Sequence, residues 1–175
     1  MTFKTKLLSV LIVAFIVSVV IKTFFIEGLI VIGDSMEPTI HSGDYVFINK
    51  FAYWNSEPER GDIVVANSRA PRREKVVKRI IGMPGERFAI EKGAIVIRAT
   101  RLEEGVILSE GYLTGTSTPS VGITLIKLDP REYFALGDNR EVSIDSRELG
   151  PIDLWEIKGE AFGAFNFKTF KFRFF

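Results

Sequence analysis

Cysteine is absent from the 175-residue chain, and histidine occurs once, at His41. Without cysteine the protein has no disulfide and no cysteine-ligated metal site, and a single histidine excludes a histidine-rich metal centre. An excess of charge is also missing, because 23 Lys and Arg nearly balance 22 Asp and Glu and leave a net charge of +1. This balance removes the general electrostatic argument for nucleic-acid binding. We expect no metal, no cofactor and no nucleic-acid partner.

An uncharged apolar run dominates the beginning of the chain. Residues 7–21 carry no charge and are mostly Leu, Ile, Val and Phe, and the apolar character continues to Ile26 with Lys22 as the interruption. Residues 7–26 have about the length needed to span a bilayer. Lys22 lies near one end, where its side chain reaches the headgroups. The sequence therefore predicts one transmembrane helix over residues 7–26.

The residues that flank this run favour a retained anchor with a defined orientation. Lys4 and Lys6 precede it, so the positive-inside rule places residues 1–6 in the cytoplasm and the rest of the chain on the other side. A cleavable signal peptide is the alternative, and it would end in small residues. Residues 22–27 (KTFFIE) are bulky throughout, which favours an anchor that is not removed.

Short β-rich runs separated by Gly, Pro and Asn follow the apolar run. This pattern is typical of a mainly β domain. Residues 105–121 have little pattern, and only residues 154–158 suggest a short helix. Strands are predicted at residues 45–48, 62–66, 76–81, 88–90, 94–97 and 133–136.

Phenylalanine is concentrated in the last part of the sequence. Residues 162–175 hold seven of the fifteen phenylalanines, and residues 170–174 (FKFRF) alternate aromatic with basic side chains. Strict alternation favours a half-buried strand. The same residue types also suit a membrane interface, and this alternative stays open.

Residues 33–39 (GDSMEPT) place a serine in a Gly-led turn just beyond the apolar run. A serine in a turn is commonly structural, but its hydroxyl becomes a nucleophile when a base takes its proton. His41 lies six residues after Ser35, a spacing that neither supports nor excludes contact, and a triad would also need an orienting acid.

Lys78 is the other candidate base. A free lysine has a pKa near 10.4, so only about one amine in 2,500 is neutral at pH 7. Burial lowers that pKa, and Lys78 shares its strand face with the apolar residues Val76 and Ile80, while Arg79 faces the opposite way. A lysine that protects an edge strand is the alternative explanation.

Residues 137–147 (GDNREVSIDSR) form a dense polar block. Ser143, Asp145 and Arg147 alternate, so they share one face if the segment is extended. The Ser143 hydroxyl would then be able to orient an amine, and Asp145 would pair with Arg147. A polar turn with a weak surface ion pair is the alternative.

Taken with residues 43–44 (GD), 60–64 (RGDIV) and 78–86 (KRIIGMPGE), these blocks resemble bacterial type I signal peptidases, which are membrane-anchored serine proteases with a Ser/Lys dyad. The matching blocks occur in the family's order. The resemblance implies that Ser35 is the nucleophile and Lys78 the general base. It also implies that Ser143 supports Lys78, that Asp145 and Arg147 form a salt bridge, and that Arg79 pairs with Asp138.

The resemblance also bears on substrate binding. It implies shallow apolar pockets for small side chains, lined by Leu29, Val31, Met36, Ile40 and Val77. Some members carry a serine two residues before the nucleophile, whose hydroxyl assists the oxyanion hole, but this chain has Gly33 there. The oxyanion would then be bound by a backbone N–H, that of Ser35 itself.

The implied fold is a signal-peptidase-type antiparallel β core with a small inserted β subdomain. The core would comprise residues 27–86 and 131–175, and the insertion residues 87–130. The implied function is cleavage of N-terminal signal peptides from exported preproteins after a small-x-small (Ala-x-Ala) motif. The expected location is the plasma membrane, with the catalytic domain on the extracytoplasmic side. The expected partners are signal peptides, membrane lipid and the export translocon.

Three alternative functions have to be considered for the same residues. A dedicated maturation protease with the same Ser/Lys fold would act on one specialised substrate. A self-cleaving repressor of related fold would need a DNA-binding domain where this chain has an apolar run. A silent membrane-tethered binding module is disfavoured, because all the polar groups that catalysis needs are present.

Overall fold

An apolar helix precedes two antiparallel sheets in the computed structural model, which describes residues 3–69, 74–98, 105–113, 117–119 and 125–175. Helix α1 covers Phe3–Phe24 and is long and apolar enough to cross a membrane by length and composition. Ile26 pairs with Asn49 at the start of the first strand. The helix therefore ends two residues before the apolar run does.

Within the described residues, twelve strands and a short second helix, α2 (Ser146–Leu149), follow α1. The strands are β1 (Ile26–Ile30), β2 (Tyr45–Asn49), β3 (Ile63–Asn67), β4 (Lys75–Gly82), β5 (Arg87–Glu91), β6 (Ala94–Arg98), β7 (Val106–Ile107), β8 (Ile126–Lys127), β9 (Glu132–Leu136), β10 (Ile152–Asp153), β11 (Ile157–Asn166) and β12 (Lys171–Phe174).

The larger sheet has the order β1-β2-β11-β3-β4-β9-β10, with β12 paired to β11. All its pairs are antiparallel. The smaller sheet has the order β7-β6-β5-β8. These elements confirm the prediction of a mainly β, antiparallel fold preceded by one apolar helix.

The smaller sheet lies within the range that the sequence assigns to an insertion. Phe88 packs edge-on against Phe134 of the larger sheet, with ring centroids 4.3 Å apart. Both rings belong to one buried cluster with Ile81, Leu128 and Leu136. The two sheets thus share an apolar core, and the division of the chain into core and insertion stays a prediction.

Strands β3 and β4 are covered on both faces. Val65 and Val77 belong to one buried cluster, whereas Val64 and Ile80 belong to another on the opposite face. Because side chains alternate along a strand, every residue in this part of β4 points into protein. Any polar residue there has to find its partners inside the fold, and the sequence puts Lys78 and Arg79 at these positions.

Strand β11 was not predicted over most of its length. The suggested helix at residues 154–158 is a 3₁₀ turn at Leu154–Glu156 that leads into β11. Gly159 interrupts the β pattern, yet it is required, because a Cβ there would lie 2.5 Å from the Asn49 carbonyl oxygen and its φ is +155°. Close packing of β11 on β2 therefore overrides the sequence signal.

Candidate active site

Ser35 lies in the loop that follows β1. Gly33 has a φ of +103°, a conformation that favours glycine, and its N–H donates to Ser42 Oγ at 3.1 Å. The Ser35 carbonyl accepts a hydrogen bond from the Asn139 N–H at 3.0 Å. This bond ties the serine turn to the polar block of residues 137–147.

Lys78 lies on β4, directly beneath the serine. Its Nζ is 2.9 Å from Ser35 Oγ, and the residue is only 5% exposed. Burial lowers the pKa of Lys78 to about 8, and the nearby Arg147 cation acts in the same direction. The negative charges of Asp145 and Asp138 act to raise this pKa, but their effect is smaller. The structure thus brings together the two residues that the sequence proposed as nucleophile and base.

Arg79 points away from Lys78 and pairs with Asp138. Its Nε and Nη2 donate to the two carboxylate oxygens at 2.8 and 2.7 Å, and its Nη1 donates to the Gly61 carbonyl at 2.8 Å. Thr39 Oγ1 donates to Asp138 at 2.6 Å. This buried pair links β4 to the serine turn through Thr39.

Asp145 and Arg147 form a second buried bidentate pair. Arg147 Nε and Nη2 donate to Asp145 at 2.8 and 2.9 Å, and the Gly137 N–H donates to the same carboxylate at 3.0 Å. Burial acts to raise the pKa of Asp145, but the bonds from Arg147 and Gly137 outweigh it and hold that pKa below its usual value. The carboxylate is therefore ionised and already neutralised by its arginine.

Ser143 is buried beside this pair, where its hydroxyl also helps to hold the pKa of Asp145 below its usual value. Its carbonyl accepts from Arg147 at 3.1 Å. The structure thus places Ser143 in the same wall as Asp145, but with no hydrogen bond from its hydroxyl to Lys78.

Gly137 is a site residue that the sequence analysis missed. A Cβ on Gly137 would lie 2.6 Å from Ser143 Cβ and would overlap both Ser143 Oγ and the Ser35 carbonyl oxygen. Only glycine allows the end of strand β9, the serine turn and Ser143 to approach one another this closely. A glycine directly after a predicted strand, before an Asp, was the available signal.

Arg140 was missed as well, although it lies in the same polar block. It is 1% exposed and pairs with Glu110 and Thr118, while its Nε donates to the Gly137 carbonyl at 3.0 Å. Residues 105–121 carry little sequence pattern, so no signal pointed to these partners. Through Arg140, the segment after β7 braces the turn that holds Ser35.

The segment after β7 also covers the ion pair between Arg79 and Asp138. The guanidinium of Arg79 lies 4.0 Å from the centre of the Tyr112 ring, close enough for a cation–π contact. Like Glu110 and Thr118, Tyr112 lies in a part of the sequence without a pattern, so its contact with Arg79 was not predicted.

The five predicted pocket residues belong to one apolar cluster. Met36 and Ile40 are fully buried, and Val31 and Val77 nearly so. They pack with β2, β3 and β11 directly behind the serine turn, with Leu29 at the edge of the cluster. Their role in substrate binding stays a prediction.

An open cleft of about 470 Å³ lies over Ser35 and Lys78. None of the five predicted pocket residues lines it. Its walls include the exposed apolar side chains Ile32, Val142 and Ile144, which the sequence analysis did not single out. Ile32 is 94% exposed, so the cleft presents an apolar rim to an incoming chain.

His41 is occupied elsewhere. Its ring Nδ1 contacts the Glu37 carboxylate, and its backbone N–H donates to the Asp44 carboxylate at 3.0 Å. His41 forms no hydrogen bond to Ser35 within the described part of the chain.

The comparison with known proteins matches this geometry to one family. The family described as signal peptidase, peptidase S26, matches residues 4–165. The chain belongs to the signal peptidase family. The resemblance drawn from the sequence is therefore confirmed, and the chain is an enzyme of this serine endopeptidase family.

Relatives align with the chain over most of its length. Signal peptidase I of Bacillus caldolyticus is 34% identical over 169 residues, which cover 93% of this chain and 92% of the relative. Signal peptidase I P of Bacillus subtilis subsp. natto is 33% identical over 161 residues, or 87% and 83% of the two chains. Signal peptidase IB of Staphylococcus aureus (strain MRSA252) is 31% identical over 173 residues, or 93% and 90%.

A solved structure of a signal peptidase I from Enterococcus faecalis V583 is 30% identical in sequence. It aligns with 60% of this chain and 97% of its own length at a TM-score of 0.48.

Replacing Gly137 by Ala is expected to abolish most activity of this signal peptidase. The added methyl group displaces either Ser143 or the Ser35 turn, and overpacking of this kind destabilises a fold by about 1–3 kcal/mol. Proteolytic rate and thermal unfolding of the detergent-solubilised protein measure the two effects. Gly111→Ala is the matched control, because a Cβ there meets nothing within 4 Å. Full activity in Gly137→Ala would contradict the close approach.

Replacing Lys78 by Met is expected to stabilise the protein at neutral pH. The pKa of Lys78 is lowered from 10.5 to about 8, so holding the ammonium at pH 7 costs the folded state on the order of 3 kcal/mol. Below pH 8 Lys78 is protonated in both the folded and the unfolded state, so this cost does not change with pH. Between pH 8 and 10.5 the unfolded state binds more protons, so the stability of the wild type rises with pH and the cost disappears.

Thermal unfolding of wild type and Lys78→Met across this pH range checks the prediction. The gain in Tm should be largest below pH 8 and small above 10.5. A gain that is the same at every pH would trace the stabilisation to packing rather than to the buried charge.

Proposed function

We propose that the chain is a membrane-anchored endopeptidase that removes N-terminal signal peptides from exported preproteins, with Ser35 as nucleophile and neutral Lys78 as general base. The observation that carries the proposal is the 2.9 Å approach of Lys78 Nζ to Ser35 Oγ in a buried setting. Membership of the signal peptidase family supplies the substrate class. The apolar helix α1 supports membrane attachment.

The lowered pKa of Lys78 makes the base available at physiological pH. With a pKa of about 8, roughly one amine in ten is neutral at pH 7, against about one in 2,500 for a free lysine. The gain is on the order of 300-fold in the reactive form. A neutral amine accepts the Ser35 proton directly, so no histidine is required.

The reaction then proceeds in two steps. Ser35 Oγ attacks the scissile carbonyl carbon while its proton passes to Lys78 Nζ, and the resulting ammonium protonates the departing amine. The signal peptide is left as an ester on Ser35. Neutral Lys78 next takes a proton from water, whose oxygen attacks the ester carbonyl carbon. The Lys78 ammonium returns that proton to Ser35 Oγ as the ester bond breaks, and the released carboxylic acid loses its own proton to solvent.

The oxyanion is bound by the main chain. The Ser35 N–H makes no hydrogen bond within the described residues, whereas the Ser35 carbonyl is held by Asn139. Residue 33 is a glycine, so it has no side-chain hydroxyl that could bind the oxyanion. A free N–H on the nucleophile itself, in a turn held from both sides, suits stabilisation of the developing negative charge.

Specificity for small residues is assigned to the apolar cluster behind the serine. Leu29, Val31, Met36, Ile40 and Val77 would line sites that accept alanine and exclude larger side chains by volume. Met36 and Ile40 have no solvent-exposed surface, so entry even of a small side chain needs a local shift of Met36, whose unbranched side chain adapts readily.

Cleavage of a preprotein with an Ala-x-Ala site by the detergent-solubilised enzyme tests this function. Ser35→Ala and Lys78→Met should each lower the rate by a factor on the order of 10³ or more. Lys75→Met is the matched control, since it removes an exposed lysine three residues earlier on β4 that pairs with Glu27. Normal cleavage by folded Lys78→Met would eliminate the dyad and return attention to His41.

The pH dependence of kcat/KM gives a separate prediction. The rate should rise through a limb with an apparent pKa near 8, because the free enzyme must lose the Lys78 proton to act. Lys75→Met should show the same limb. A limb above pH 10 would mean that the base is a solvated lysine and would contradict the buried amine.

A further inference from the structure

Tyr112 contacts two buried arginines at once. The guanidinium of Arg79 lies 4.0 Å from the centre of the tyrosine ring. The Tyr112 hydroxyl accepts a hydrogen bond from Arg140 Nη2 at 3.3 Å and donates one to Glu110 at 2.6 Å. One side chain thus touches both the ion pair of Arg79 with Asp138 and the ion pair of Arg140 with Glu110.

The segment that carries Tyr112 is tied to the smaller sheet. The Leu108 N–H donates to the Ile95 carbonyl of β6 at 2.8 Å, and the Leu113 N–H closes a turn on the Glu110 carbonyl at 2.9 Å. Leu108 and Tyr112 also pack against the apolar cluster that the two sheets share. The tyrosine ring is therefore held in position by the fold, and its contacts are not those of a loose surface side chain.

The ring covers one face of the Arg79 guanidinium. The edges of this group are used by Asp138, at 2.8 and 2.7 Å, and by the Gly61 carbonyl, at 2.8 Å. With Tyr112 on its face, the cation is kept out of water, and a charge pair attracts more strongly there than in solvent. Burial dominates the pKa of Lys78, but Asp138 acts to raise it. The pairing of Asp138 with Arg79 therefore bears on the amine of Lys78.

The hydroxyl of Tyr112 completes the surroundings of Arg140. The Arg140 guanidinium makes five hydrogen bonds, two of them to Glu110 and one each to Gly137, Thr118 and Tyr112. A guanidinium has five N–H groups, so each of its donors has an acceptor. The bond to the Gly137 carbonyl, at 3.0 Å, connects this arrangement to the end of β9.

The turn that follows β9 carries both contacts of the tyrosine to the dyad. The Arg140 N–H donates to the Asp138 carbonyl at 3.1 Å, and the Asn139 N–H donates to the Ser35 carbonyl at 3.0 Å. The two ion pairs that Tyr112 touches thus converge on one turn, which holds the nucleophile and carries the carboxylate that acts on the base.

Tyr112 itself does not titrate in the range in which the proposed enzyme works. Burial raises the pKa of its hydroxyl far above the usual value, and the hydrogen bond to Glu110 and the charge of Glu110 act in the same direction. The charged groups around the two side chains are Glu110, Arg140 and Arg79 for Tyr112, and Asp145, Arg147 and Asp138 for Lys78. A changed pH dependence in a Tyr112 variant is therefore to be traced to Lys78.

We propose that Tyr112 is a positioning residue for the dyad. Its ring holds the Arg79 guanidinium on Asp138 and so limits the negative charge that reaches Lys78, while its hydroxyl helps to hold the turn that binds Ser35. The proposal rests on the proposed function, because it takes Lys78 as the base. The alternative is that the ring only fills the apolar core, and the two roles predict different pH profiles.

Fluorination of the ring tests the electrostatic role with little change of shape. Tyr112 is replaced by phenylalanine, trifluorophenylalanine and pentafluorophenylalanine in the full detergent-solubilised chain. Fluorine withdraws charge from the ring face and weakens its attraction for a cation. The limb of kcat/KM, near pH 8 in the wild type, should stay in place with phenylalanine. It should then move upwards with fluorine content, by about half a pH unit with pentafluorophenylalanine, because a less neutralised Asp138 favours the ammonium of Lys78.

The hydroxyl has a separate readout in Tyr112→Phe. This variant should lower kcat by about three- to tenfold with KM unchanged, because the turn that binds Ser35 loses one of its hydrogen-bonded supports. Cleavage of the Ala-x-Ala preprotein measures both constants. A kcat equal to that of the wild type would contradict the role of the hydroxyl.

Direct titration of Lys78 gives a readout that does not depend on activity. Lysine isotope-labelled at Cε is incorporated into the chain, and its NMR signal is assigned by its absence from Lys78→Met. The pKa of Lys78 from this signal should rise with the fluorine content at position 112, in parallel with the kinetic limb.

Leu108→Ala is the matched control. Leu108 packs against the same apolar cluster as Tyr112, and it has no aromatic ring or polar group to place on an arginine. Its truncation should lower Tm but leave the limb near pH 8. A limb that ignores fluorine content, or that moves equally in Leu108→Ala, would reduce Tyr112 to a filler of the core and overturn the proposal.

The two proposals fail in different ways. If folded Lys78→Met cleaves as well as the wild type, the proposed function fails, and the NMR titration still reports whether Tyr112 acts on Lys78. If Lys78→Met is inactive and the titration of Lys78 ignores the fluorine content at position 112, the function stands and the inference about Tyr112 is wrong.

Discussion

A lysine ammonium inside a protein needs water or a carboxylate, and Lys78 is held away from both. It is nearly inaccessible to solvent, and no described carboxylate oxygen lies within 4.0 Å of its Nζ. The two acidic residues that act on it, Asp145 and Asp138, are each bound bidentately by an arginine of their own. Their charge is largely cancelled before it reaches the amine. Desolvation therefore dominates, and the pKa falls.

This arrangement gives a physical reason for the two buried ion pairs beside Lys78. A buried pair contributes little net stability, because desolvation of both ions opposes their attraction. Removing either arginine, however, would leave a free carboxylate near Lys78 and favour the protonated amine. Arg147 has a second effect, since its own positive charge lowers the pKa of Lys78 further. The pairs are thus better understood as a means of controlling one proton than as a source of stability.

The sequence allowed prediction of the features that depend on neighbouring residues, but not of the contacts between residues that lie far apart in the chain. Ser35 and Lys78 were candidates because of their immediate neighbours, a Gly-led turn in one case and an apolar strand in the other, and the resemblance of the surrounding blocks to a known family gave them their roles. The mainly β fold followed from the same short-range patterns. Arg140 had no identifiable partner, because Glu110 and Thr118 lie in a segment without periodicity. The requirement for glycine at position 137 appears only when Ser143 and the Ser35 carbonyl meet around it.

The β11–β12 hairpin, in which Arg173 pairs with Asp44, shows that periodicity alone does not determine which face of a strand is buried. Alternation in residues 170–174 specifies that Phe and the basic residues point to opposite sides, but it does not say which side faces the protein. Apolar burial alone would turn the phenylalanines inward. The choice was made by Asp44, which lies more than a hundred residues earlier and whose buried carboxylate takes Arg173 as its partner. Pairing a buried charge outweighs the burial of two partly exposed rings.

Asp44 also connects the serine turn to the β11–β12 hairpin. Its carbonyl accepts the Val31 N–H at 2.9 Å, just before the serine turn, while its carboxylate holds the hairpin. The chain on either side of Ser35 and the β11–β12 hairpin are therefore parts of one hydrogen-bonded unit. In the proposed function, this unit holds the nucleophile Ser35 at a fixed position relative to the hairpin.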